Sequence, residues 1–98
     1  MIVIFDRKGL SELLTLDLDT LQGADLRGAK LENANLVQVD LQGADLREAK
    51  LAGADLRLAN LAGADLRGAI TDGADFTGAI LDQAKTDRPL IPISIALS

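Results

Sequence analysis

The sequence predicts an all-β solenoid, in which a short unit winds into stacked coils around an apolar axis. Three observations carry this. Leucine recurs every five residues, at Leu21, Leu26, Leu31, Leu36, Leu41, Leu46, Leu51, Leu56, Leu61 and Leu66, usually with an alanine two residues before it. Thr71, Phe76, Leu81 and Thr86 continue the leucine position, so fourteen units run from 19 to 88 without an insertion. A second period is twenty: the segment Leu21–Lys30 returns as Leu41–Lys50 with one change, and its first nine residues return at Leu61–Ala69 with Ala62 for Gln. Third, the apolar mass is mainly Leu and Ala, with only two phenylalanines in 98 residues. That composition suits a small repeated unit better than an ordinary globular core.

A period of five excludes the simpler structures. On an α-helix five residues advance about 500°, so successive leucines step around the axis by about 140° and form no stripe. In a straight strand a step of five changes faces each time. Within one unit, however, the alanine and the leucine are two apart and share a face in extended backbone. The chain therefore runs extended for a few residues and then turns. Glycine supplies the turn chemistry two residues after the leucine position, at Gly23, Gly28, Gly43, Gly53, Gly63, Gly68, Gly73 and Gly78. The period of twenty makes four units per coil, hence a square section and about 3.5 coils, roughly 17 Å long at the spacing of stacked strands.

Residues 1–18 do not obey the rule and read as an N-terminal cap over the first coil, whose apolar end and strand edges need cover. Ile2–Phe5 is a short β-prone run and Asp6–Gly9 a turn. Ser11–Leu14 reads as one helical turn with Ser11 as its N-cap. Leu14, Leu16 and Leu18 alternate like a strand in the path of the first coil.

Residues 19–88 are the repeat. Its core is the leucine column from Leu21 to Leu66 together with Phe76 and Leu81, each buried leucine contributing about 1.5–3 kcal/mol before the entropy of ordering it. Asp19 and Val39 are the departures at the alanine position. Ile70 and Ile80 occupy positions that are polar in most units and should point outward. Residues 89–98 form an apolar tail. Pro89 ends the run and Pro92 forbids regular ladder pairing, while Ile91, Ile93, Ile95 and Leu97 alternate with smaller residues. The tail is either a strap over the last coil or an adhesive end for another protein or a second copy, with Leu90, Ile91, Ile93, Ile95 and Leu97 as the candidate interface.

The chemistry is restricted. There is no His and no Cys, and the serines lie outside the repeat. Nucleophilic triads, zinc sites and imidazole acid–base work have no residues to use. Asp25, Asp45 and Asp65 stack in one column, but Arg27, Arg47 and Arg67 run beside them, so a surface lattice of ion pairs is expected instead of a metal site. No catalytic residue, metal or cofactor is expected. A net charge of −5 argues against direct nucleic-acid binding. Residues 1–5 lack a basic n-region, and no apolar stretch approaches the ~20 residues of a spanning helix. A cytoplasmic protein without membrane contact or small-molecule substrate is the expectation.

The tract resembles the pentapeptide-repeat family, whose motif is A(D/N)LxX, over residues 19–88. Twelve of the fourteen units carry Ala at the first position and eleven carry Leu at the centre. The resemblance implies a right-handed quadrilateral β-helix with those two positions pointing inward. The residues themselves point to a non-enzymatic structural or protein-interaction module, and the resemblance implies an alternative: some members mimic DNA and regulate a type II topoisomerase, DNA gyrase. Duplex DNA carries one negative charge per ~1.7 Å, about ten over such a rod. Residues 19–88 hold twelve acids and eight bases, a net of −4, so the first reading leads.

Overall fold

The computed structural model describes residues 1–87. The chain opens with a hairpin. Strand β1 (Ile2–Phe5) pairs antiparallel with β2 (Glu12–Leu16), placing Ile2 opposite Leu16, Val3 opposite Thr15 and Ile4 opposite Leu14. The register slips between Ile4 and Phe5, where Phe5 stands opposite Glu12. Asp6 organises the connection, its Oδ1 accepting the N–H of Leu10 at 2.8 Å and of Ser11 at 3.3 Å.

The helical turn expected at Ser11–Leu14 is not formed. A single turn fixes several dihedrals for one hydrogen bond. As a strand the same residues bring Leu14 opposite Ile4, and Leu13, Leu14 and Leu16 pack on the core. The expected alternation also stops early: β2 ends at Leu16, and Leu18 is exposed.

Beyond the hairpin the chain repeats itself every twenty residues. Parallel bridges join Asp25 to Asp45 to Asp65 to Lys85, Lys30 to Lys50 to Ile70, Asn35 to Asp55 to Asp75, and Asp40 to Asn60 to Ile80. Each bridge has two hydrogen bonds; at the first, the Asp45 N–H donates to the Ala24 carbonyl at 2.9 Å and the Leu26 N–H to the Asp45 carbonyl at 2.8 Å. Between bridges the chain makes a β-turn, closed in the first unit by the Ala24 N–H donating to the Leu21 carbonyl at 3.1 Å. The third residue of each turn has positive φ, the requirement of a type II turn. The protein is all-β, with no helix among the described residues.

Extended backbone between turns sends the alanine and leucine positions to one side, and that side is the core. Leu31, Leu41, Leu46, Leu51, Leu56, Leu61 and Phe76 have no exposed surface, and Leu21, Leu26, Leu36 and Leu66 are buried almost as fully. Ala34, Ala44, Ala54 and Ala64 fill the space between them. Thr71 is buried at a leucine position, while Leu81 is half-buried where the described rows end. Asp19, at a nominal alanine position, is exposed.

The hairpin docks on this stack through backbone. The Asn35 N–H donates to the Phe5 carbonyl and the Arg7 N–H to the Asn33 carbonyl, both at 2.8 Å. Ile4 is buried, and Ile2, Leu14 and Leu16 lie against the core.

Candidate functional site

Whatever this chain contacts must meet its outward side chains, and the backbone fixes where those stand. One outward residue of each unit sits at the bridge, just before the leucine position. Where it is Asp or Asn, its Oδ1 accepts the N–H two residues on: Asp25 from Arg27, Asn35 from Val37, Asp40 from Gln42, Asn60 from Ala62, all at 3.1–3.2 Å. This Asx turn explains the residue type, because short side chains with an acceptor oxygen reach that N–H and set the next turn, as the Thr20 hydroxyl also does for the Gln22 N–H at 3.2 Å.

Where arginine follows, a further layer forms. Arg27, Arg47 and Arg67 each grip the aspartate of their own unit in two parallel contacts, Nε to Oδ1 at 2.9 Å and Nη2 to Oδ2 at 2.6–2.9 Å. Arg27 also approaches Asp45 at 3.8 Å and Arg47 approaches Asp65 at 3.9 Å, so the pairs link along the stack. The guanidinium beside each carboxylate, helped by the backbone N–H, holds Asp25 and Asp65 down at about 2. Asp45 and Asp55 are lowered in the same way by Arg47 and Arg57. The column of Asp25, Asp45 and Asp65 is thus a lattice of ion pairs. Among the described residues no group of acidic side chains is arranged to hold a metal ion.

The rows of twenty, the leucine core and the Asx turn together form one known pattern. The family model for pentapeptide repeats, in eight copies, matches residues 21–57 and 59–85. The chain belongs to the pentapeptide-repeat family. Comparison with curated proteins found no match. A pentapeptide-repeat chain of this kind is a structural or protein-interaction module at the level the family supports.

Within the pentapeptide stack, the core residues named from sequence line the inside as described above. The candidate interface residues Leu90, Ile91, Ile93, Ile95 and Leu97 lie outside the described residues, as does Arg88. Ile70 and Ile80 point outward, 43% and 46% exposed. No helix among the described residues is long and apolar enough to cross a membrane.

Besides the acceptor role of the Asp/Asn position, sequence reasoning missed the residues that stand in for glycine. The left-handed turn position is glycine in eight units, but Asn33, Gln38, Glu48, Leu58 and Gln83 hold it elsewhere, with φ between 59 and 63°. Leu58 is the apolar member of that set and is 55% exposed. The glycine spacing already pointed to it: the rule that puts Gly53 and Gly63 in the turns also puts Leu58 in one.

Proposed function

We propose that this chain is a non-enzymatic, rigid interaction module that binds another protein, or a second copy of itself, through a side of the rod or through its C-terminal end. On this reading the rows wind right-handed, as the family resemblance implies, and fourteen units at four per coil give a square section of about 3.5 coils. The module works in the cytoplasm without cofactor, nucleic acid, membrane or small-molecule substrate. The observation that carries it is the fixed display of outward side chains. Every row repeats at twenty residues through paired backbone hydrogen bonds, so the surface is pre-organised and loses little freedom on binding. The lack of His and Cys supports the non-enzymatic part.

The DNA-mimicking alternative finds little support on the surface. A DNA-like side needs unneutralised acids in line, whereas Asp25, Asp45, Asp55 and Asp65 are each gripped by an arginine.

Two experiments test the module. Photo-crosslinking residues placed on each side of the rod should capture a specific protein from one side; no specific crosslink from any side overturns the reading. Light scattering of the full chain and of a chain ending at Arg88 then separates the partners. A dimer lost on truncation makes the tail a self-interface, and a monomer in both cases makes the partner a different protein.

A further inference from the structure

We propose that Leu58 and Ile80 form a docking point for a protein segment whose apolar side chains are flanked by lysine or arginine. This rests on the interaction-module reading and names the surface and the partner class.

Leu58 sits where the fold gives it little. Its backbone is left-handed at φ 63°, a conformation that crowds any Cβ and that leucine rarely adopts. Gly, Asn or Gln serve the same turn in the neighbouring units. The residue is more than half exposed, so burial offsets only part of the cost. Asn33, Gln38, Glu48 and Gln83 share this turn, and what sets Leu58 apart from them is an apolar side chain held out to solvent.

The surroundings make it a patch. The Leu58 side chain lies across the next row at Gly78: its Cδ2 would stand 2.6 Å from a Cβ built there. The missing side chain of Gly78 is what seats Leu58. Ile80 is two residues further on and is 46% exposed, beyond Asn60 in the bridged line from Asp40. Ile70, the other exposed isoleucine of the repeat, instead follows Lys30 and Lys50.

Charge chooses the partner. Asp40 stands at the start of the Ile80 line, Asp75 ends the neighbouring line, and Asp82 follows Ile80 by two residues. Among the described residues none of these three forms an ion pair. Arg57 is held by Asp55 at 2.7 Å and also acts on Asp75, which leaves Asp40 and Asp82 as the stronger part of the rim. An apolar pair with an acidic rim complements an apolar anchor with a basic rim.

The test uses the full chain with labelled methyl groups, observed by NMR. The probes are a short synthetic peptide with a leucine–isoleucine centre flanked by lysines, and the same peptide with glutamates. The lysine peptide should shift the Leu58 and Ile80 methyls and leave Ile70 unmoved, more weakly as salt is raised. Leu58→Gln keeps the turn, since Gln38 and Gln83 already hold that position. It and Ile80→Thr should each weaken binding roughly tenfold or more, as anchor losses do. Shifts centred on another side overturn this site and leave the module standing. Equal binding of the glutamate peptide overturns the acidic rim. No shift with either peptide overturns the surface, while the crosslinking result decides the broader reading separately.

Discussion

The carboxamide of Asn33 occupies the space into which a Cβ on Gly53 would project. The two residues are one row apart at the same left-handed turn, so the side chain of one turn lies over the bare backbone of the next. Gly63 serves an equivalent turn with nothing within 4 Å of a built Cβ. Gly63→Ala should therefore cost only the left-handed penalty, about 1–2 kcal/mol. Gly53→Ala should cost clearly more, because the carboxamide must also move. Asn33→Ala should recover that excess, giving a coupling of about 0.5–3 kcal/mol in denaturant unfolding of the two singles and the double. Equal costs for the two glycines would sink the packing argument.

The aspartate–arginine lattice predicts the acid limb of stability. The folded carboxyls of Asp25 and Asp65 titrate at about 2, below the unfolded value near 3.9. A lowered folded pKa means that the unfolded chain binds more protons as pH falls. The stabilisation is complete above about pH 4 and is lost as pH drops toward 2. Urea midpoints should hold steady down to about pH 4 and then fall. Asp65→Asn should be less stable than the parent at neutral pH and should show a shallower acid limb. An acid limb of unchanged steepness in that variant would show that the pairs do not govern it.

Much of this fold was legible because one rule is written many times. The spacing of leucine and alanine named the inward residues, and the return of Leu21–Lys30 at Leu41–Lys50 named the row length that the Asp25–Asp45 bridge displays. The hairpin was harder to read because Ser11–Leu14 is written once. A serine cap signal competed there with the alternation of Leu14 and Leu16, and pairing with Ile2 and Ile4 decided it. The role of the Asp/Asn position was hidden because its acceptor role needs the turn geometry, which charge counting does not see. Leu58 stood in plain view of the glycine spacing, but glycine at that position reads as turn chemistry until the φ angles show that every occupant shares it.

The core predicts a gradient along the stack of bridged rows. Leu46 is wholly buried between complete rows, so Leu46→Ala should cost ~2–5 kcal/mol through lost burial and an unfilled cavity. Leu81 has the same role in the repeat but is half-buried. Leu81→Ala should cost distinctly less, because part of its surface already meets water. Chemical denaturation of both variants ranks them, and a larger loss at Leu81 would reverse the gradient.

The hairpin predicts what happens when it is removed. In the first row, the bridge positions are Asp25, Lys30, Asn35 and Asp40. The N–H of Asn35 is bonded to the Phe5 carbonyl, whereas among the described residues those of Asp25, Lys30 and Asp40 have no backbone partner. The three open edges carry charges, which discourage pairing with another chain; the uncharged edge is the one the hairpin covers. The hairpin also roofs the first core row, where Leu31 is fully buried and Leu21 is 4% exposed. Deleting residues 1–18 should expose both the apolar end and the Asn35 edge. Light scattering should then show concentration-dependent association beyond that of the full chain. Arg7→Pro, which removes the N–H donated to Asn33 and the Arg7 side-chain contact to the Gly53 carbonyl, should loosen the cap with a smaller effect. A truncated chain with the mass and the denaturation midpoint of the full protein would show that the end of the stack needs no cover.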